Sequence, residues 1–255
     1  MSQYHLNVVF LCSATIGQPQ RLETLLDRIQ EGNYKISGPR VGDTVTEQFA
    51  FWRHYDEQAR REMGIAYDKR HLAFDVVENV VGGGIILIFD ARWLEDEGGP
   101  VDVPGWPWHL WRVKGSGCSS IVEAHTDDTA MFTQKKWQPE DNARRLLELA
   151  KVIYNTIRPR FAWIERCHWK GYTTPEDVVQ LRLPHLYWAN FFSPAYVEKM
   201  GEQFLMNAPG WKKEPLPDGG LLYVLSPSLA GTGPKATATA VQDYFGVPSV
   251  RRRAK

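Results

Sequence analysis

Cysteine is scarce in these 255 residues, and the three present, Cys12, Cys118 and Cys167, are odd in number and far apart. That excludes a disulfide framework or a paired zinc ribbon as the basis of the fold, and it makes a reducing cytoplasm the expected compartment. An excess of charge is missing too: 30 Lys plus Arg stand against 30 Asp plus Glu, for a formal net charge of zero. Proteins that grip phosphate backbones carry a positive field, so direct binding of nucleic acid is not expected. Long apolar runs are absent. The longest, residues 84 to 89, has glycines before it and Asp90 after it, far short of the roughly 20 residues of a membrane helix, so no membrane partner is expected. The first apolar run, Val8 to Cys12, has no basic lead-in and is shorter than the apolar core of a signal peptide, so export by that route is not expected either.

Hydrophobic residues make up 43% and charged residues 24% of the chain, the composition of a folded globular protein with a sizeable core. NVVFLC (7 to 12) reads as a buried strand. QRLETLLDRIQEG follows, with Leu22, Leu25, Leu26 and Ile29 at helical spacing before Gly32. VTEQFAFWRHYDEQARREM (45 to 63) reads as a half-buried helix, and VVGGGIILIFDARW (80 to 93) as a strand entered through glycines. Those glycines precede a strand and lack the Gly-Lys-Ser/Thr of a phosphate loop, so they read as a turn or bulge. WHLWRVKG (108 to 115) and SSIVEAH (119 to 125) read as a hairpin. The clearest helix is PEDNARRLLELAKVIYNTIRP, from Pro139 to Pro159. Leu146, Leu149, Ile153 and Ile157 recur on it at three or four residues, with TAMFT before and RFAWIER after as strands. LPHLYWANFF and GGLLYVLS read as further strands around a short helix at about 194 to 206. These elements predict one α+β domain over residues 1 to 226, with a mixed or antiparallel sheet and helices packed on one side. Residues 227 to 255, rich in small residues and ending in RRRAK, are expected to dock loosely or not at all.

Candidate chemistry is sparse. His125, Asp127 and Asp128 in EAHTDD could bind a divalent metal or pair a base with its orienting carboxylate; polar residues in a turn are the alternative. On a strand His125 and Asp127 share a face and Asp128 points away. No second motif elsewhere completes a ligand set, so no metal or cofactor is expected. Cys167 and His168 are neighbours on a strand and diverge, which argues against a catalytic thiol. Aromatics are more informative. Ten tryptophans are several times the usual share, and PGWPWHLW places Trp106 and Trp108 on one side of an extended segment with Trp111 on the other. Such rings either fill a core or anchor a partner.

RLPHLYWANFFSPAYVEKMGEQFLMNAPGWKKEPLPDGGLLYVLSPS carries a composite pattern. An aromatic strand with Tyr187, Trp188, Asn190, Phe191 and Phe192 leads into a helix bearing Pro194, Tyr196 and Val197. Gly201 follows, then a turn with Pro209, then Asp218 and Gly219 before the last strand. The pattern resembles the bacterial immunity protein 52 family and its relatives in polymorphic-toxin loci, chiefly over residues 171 to 226. Its scaffold sense is plain without the resemblance: Pro194 suits a helix start, Gly201 a left-handed helix end, and Asn190 bonds neighbouring backbone or a ligand.

The resemblance implies a non-enzymatic protein with no catalytic residues, which binds and occludes a cognate toxin, in this case a nuclease. The segment expected to face that partner is WLEDEGGPVD with the tryptophans after it: Trp93, Glu95, Asp96, Glu97, Asp102, Trp106 and Trp108. Its acidic residues suit a phosphate-binding toxin surface; a solvated loop is the alternative. Two other readings stay open. One is a metal-dependent hydrolase built on His125, Asp127 and Asp128, and the other an interaction subunit of another bacterial conflict system such as phage defence.

Overall fold

The structure is a computed structural model that describes residues 5–11, 19–37, 71–78, 86–93, 120–127, 139–167, 173–227, 229 and 235–247, with only the backbone described at some helix and strand positions. In chain order the elements are β1 (His5–Leu11), α1 (Pro19–Glu31), β2 (Tyr34–Ser37), β3 (His71–Glu78), β4 (Ile86–Trp93), β5 (Ser120–Asp127), α2 (Pro139–Ile157), β6 (Phe161–Cys167), α3 (Pro175–Val179), β7 (Ala189–Phe192), α4 (Pro194–Met200), α5 (Glu202–Asn207), β8 (Lys212–Pro215), β9 (Leu221–Val224) and α6 (Lys235–Phe245). Among the described residues nine strands form one sheet in the order β2-β3-β4-β5-β1-β6-β7-β9-β8, and every neighbouring pair is antiparallel. The α+β class and its antiparallel form are as the sequence predicts. Both β5 and β6 pair with β1, so the helix α2 joins two strands that run the same way with β1 between them.

Alternation along the central strands sorts their side chains onto two faces. Leu6, Val8 and Phe10 of β1, Ala162 and Ile164 of β6, and Leu222 and Val224 of β9 join Leu25, Leu26 and Ile29 of α1 and Leu146, Leu149 and Ile153 of α2 in one cluster. Each such Leu or Ile, withdrawn from water, contributes about 1.5–3 kcal/mol. This is the helical layer expected on one side. The opposite positions, Val9, Leu11, Phe161, Trp163, Phe192, Leu221 and Tyr223, form a second cluster with Val178 of α3, Tyr196 of α4, Leu205 of α5 and Val241 of α6. Strands β7 and β9 are buried at every position, so the short helices cover this second face as well.

Several elements depart from the sequence reading. The strand expected from 183 to 192 pairs only from Ala189, because Asn190 folds back on Tyr187 and holds the chain out of the ladder. The helix expected at 194 to 206 is two. Gly201, at φ 90, donates to the Val197 carbonyl at the end of α4, and its own carbonyl accepts from Leu205 in α5. Both edges of β5 are occupied, by β4 and β1, and the strand expected at 108 to 115 as its hairpin partner lies outside the described residues. β8 was hidden by its composition: Lys212, Lys213, Glu214 and Pro215 make a charged, proline-ended edge strand of the kind that resists further pairing. The tail expected to dock loosely supplies α6, whose Val241 is buried against the second face together with Val247 beyond it. The helix expected at 45 to 63 and the strand expected at 129 to 133 lie outside the described residues.

Candidate functional site

Residues singled out in the 186 to 201 stretch divide between the two faces, with Tyr187, Phe192 and Tyr196 on the aromatic one and Trp188 and Phe191 under α1 and α2, and they are engaged within the chain. The Tyr187 ring stacks on Trp163 at 4.6 Å between centroids. Its hydroxyl accepts from the Thr173 amide at 3.0 Å and donates to Thr173 Oγ1 at 2.9 Å. Asn190 is fully buried; its Oδ1 accepts from the Tyr187 amide and its Nδ2 donates to the Tyr187 carbonyl, at 3.0 and 2.8 Å. Both ends of its amide therefore serve the backbone. Trp188 donates its amide to Glu165 Oε2 and its Nε1 to the Ser226 carbonyl, and Tyr196 donates to the Arg182 carbonyl at 2.9 Å. Pro194 opens α4 at a position that needs no amide hydrogen. Asp218 accepts from the Gly220 amide at 2.9 Å and from the Tyr154 hydroxyl at 3.2 Å, while Gly219 takes φ 88. A Cβ on Gly220 would stand 2.6 Å from the Phe192 carbonyl oxygen, so the turn closes only on glycine. All of these are scaffold contacts.

Several buried ionisable groups are perturbed by their surroundings. Glu165 accepts from the Trp188 and Arg166 amides at 3.0 Å each, and withdrawal from water still pushes its carboxyl up to about 7. His185, set edge-on to the Tyr187 ring at 4.8 Å, is pushed down to about 4 by the same cause. Burial also raises the Tyr154 hydroxyl, with the Asp218 carboxylate adding to the effect. Asp177 caps α3, exchanging bonds with Thr174 and receiving Arg182, and these partners hold its carboxyl below the usual range.

The partner-facing residues expected from sequence are not gathered by the described structure. Trp93 ends β4 opposite Ser120, with its backbone alone described. Glu95, Asp96, Glu97, Asp102, Trp106 and Trp108 lie outside the described residues, as does Asp128. His125 and Asp127 sit two apart on β5 and share a face, as read from sequence. Register adds what sequence could not supply: His5 lies opposite Asp127, and Asn7 opposite His125.

An exposed surface went unnoticed in the sequence. Among the described residues the exposed large hydrophobics are Phe204, Met206 and Trp211, the last 47% exposed. Phe204 stacks on Tyr244 at 4.6 Å and meets Phe245 edge-on, and Phe245 in turn meets Tyr223. The Tyr223 hydroxyl donates to the Pro209 carbonyl, and its ring packs under Gly210 beside Trp211. Phe204 thus rides on a continuous aromatic stack between α5, α6 and β9, while Trp211 is held by its amide, which donates to the Val224 carbonyl. A separate concavity of about 800 Å³ between the ends of α1 and α2 is lined in part by Arg28, Glu31, Asn155 and Arg158, but Arg28 and Glu31 already pair at 2.7 Å.

No protein-family model and no curated protein matches the chain, so the immunity protein 52 pattern remains a resemblance on the residues quoted above. Among solved structures, a Pseudomonas aeruginosa T6SS protein, PA0821, is similar at 14% identity and a TM-score of 0.48, over 95% of this chain and 72% of that one. Among the described residues no helix is long and apolar enough to cross a membrane.

Proposed function

We propose that this chain is a non-enzymatic binding protein of a bacterial conflict system that sequesters a cognate toxin by stoichiometric occlusion. The observation that carries the reading is the exposure of Phe204, which is packed on Tyr244 and Phe245, together with that of Met206 on the same helix and of Trp211 just before β8. A rigid ring loses little conformational entropy on docking, which is why Trp and Tyr dominate the energetic centres of interfaces. The scaffold role of Tyr187, Trp188, Asn190 and Tyr196 supports the reading further, since the residues of the immunity-like pattern are spent on holding the face together. A partner of this kind covers about 800 Å² on each side. The acidic residues Glu95, Asp96, Glu97 and Asp102, with Trp93, Trp106 and Trp108, form the second contact in this reading and suit a nuclease whose active site is built for phosphate.

The test is co-purification with the product of a toxin-like gene adjacent to this one, followed by alanine substitution. Trp211→Ala should weaken the complex by about 2 kcal/mol or more, and Trp106→Ala with Trp108→Ala by a similar amount. A complex indifferent to all three places the interface elsewhere. Absence of any complex refutes the proposal.

A further inference from the structure

Helix α6 covers part of the aromatic face with few fastenings. Among the described residues no backbone hydrogen bond joins it to another element, whereas β7, β8 and β9 are locked in a ladder and α4 and α5 share Gly201. Among residues with described side chains its hydrogen bond to another element runs from the Tyr244 hydroxyl to the Phe204 carbonyl. The rest of its hold is apolar: Val241 and Val247 are buried, and Tyr244 and Phe245 pack half-buried on the same cluster. Its own sequence contributes little. It has 11 residues, and Thr237, Thr239 and Val241 are β-branched, so the helix depends on the face beneath it. Detaching it leaves the sheet intact, since β9 pairs on both sides, the Ser226 carbonyl accepts from Trp188 Nε1, and Leu229 is buried under α1 and α2.

What α6 covers adjoins the exposed surface. Phe204, 37% exposed, stacks on Tyr244 and meets Phe245 edge-on, and Phe245 meets Tyr223. Without α6 the Phe204 ring loses its stacking partner and Tyr223 its edge contact, so the apolar surface of α5 extends onto β9.

We propose that α6 is a self-docked strap over a helix-receiving groove, and that an amphipathic helix of the partner takes its place there. This rests on the reading of that face as the partner surface. Helix α6 itself shows what the groove accepts: Val241, Tyr244 and Phe245 stand at i, i+3 and i+4, the spacing by which one helix lays a single apolar stripe into a groove. Thr239, Ala240 and Asp243 are exposed and mark its water side. The strap sets the affinity, because a groove open in about one chain in a hundred binds about a hundredfold more weakly than a bare one.

Two measurements need no partner. In native-state hydrogen exchange of the unsubstituted chain, amides 241 to 245 should exchange about 100-fold or more faster than amides 146 to 153 of α2, at urea concentrations below unfolding. Equal protection of the two helices, falling together in urea, overturns the proposal. A labelled peptide of residues 235 to 247 should bind the full chain carrying Val241→Ala and Phe245→Ala at least tenfold more tightly than the unsubstituted chain. No saturable binding of the peptide to that variant overturns the proposal too. The third measurement adds the product of the adjacent toxin-like gene, and α6 amides should lose their remaining protection in the complex. A complex in which α6 keeps its protection overturns the strap and leaves the proposed function standing. Fast exchange and peptide binding without any complex refute that function and leave the strap.

Discussion

The two faces of the sheet are held by different chemistry. Under α1 and α2 the face is mainly aliphatic, with Leu25, Leu26, Leu146, Leu149 and Ile153 meeting Leu6, Val8 and Ile164 around Phe10, Tyr154 and Phe191, and stabilisation there scales with area removed from water. The opposite face is aromatic and covered by helices of 5, 7, 6 and 11 residues, too short to persist by helix propensity. Tyrosine hydroxyls make up the difference: Tyr187 binds Thr173, Tyr196 the Arg182 carbonyl, Tyr223 the Pro209 carbonyl and Tyr244 the Phe204 carbonyl. Each bond fixes a short helix or turn to its neighbours. The lesson is one of proportion: aliphatic volume dominates one face, with Tyr154 and Trp188 as its hydrogen-bonded exceptions, while the other relies on a set of tyrosine hydroxyls.

The sharpest break of that comparison is in the rings. Phe161 is fully buried and touches Trp163, Tyr187, Phe192 and Tyr196. Phe161→Ala should cost about 3–5 kcal/mol in urea unfolding, whereas the volume-conserving Leu149→Met should cost under about 1.5 kcal/mol. Equal costs would erase the distinction between the faces.

Acid titration separates two groups on the aromatic face. Glu165, raised from 4.5 to about 7, holds its proton more tightly when folded, so it makes the fold lose stability as pH climbs between those values. His185, lowered from 6.5 to about 4, resists protonation when folded, so it makes the fold gain stability as pH climbs through its own window. Each slope integrates to about 3 kcal/mol and the two oppose each other, which predicts a nearly flat contribution from the pair between about pH 4.5 and 6.5. Unfolding midpoints across that range should decline with pH in His185→Gln and rise with pH in Glu165→Gln. Parallel profiles in the two variants would contradict the assignment.

Smaller effects test the tyrosine clamps and the helix junction. Tyr187→Phe leaves the buried Thr173 amide without its acceptor and should cost about 1–3 kcal/mol, while Tyr196→Phe should cost about 1 kcal/mol. A Cβ in Gly201→Ala would make only an ordinary contact with Phe204 Cβ at 3.8 Å but must hold φ near 90, so the substitution should cost about 1–2 kcal/mol, read from urea unfolding of the purified variant.

Helix α2 was legible from Leu146, Leu149, Ile153 and Ile157 alone, and the strands at β1, β6 and β9 from compact apolar runs, because those signals are local. β8 was not, since its Lys-Lys-Glu-Pro composition reflects an edge position that only the assembled sheet defines. Nor was α6: Ala and Thr rather than Leu fill its start, and only Val241, Tyr244 and Phe245 declare its buried side. The scaffold role of Asn190 was half visible as backbone bonding. The alignment of His5 with Asp127 and Cys167 had no local signal, because register is decided by pairing between distant segments.

The proposed action of this chain is to present the exposed Phe204, Met206 and Trp211 to another protein. Mixing the purified chain with the product of the adjacent toxin-like gene, and measuring mass by light scattering alongside toxin activity, tests it directly. The prediction is a one-to-one complex in which toxin activity falls to zero at equimolar ratio, and which Trp211→Ala weakens about thirtyfold or more. A toxin that stays fully active in the presence of excess chain would contradict it.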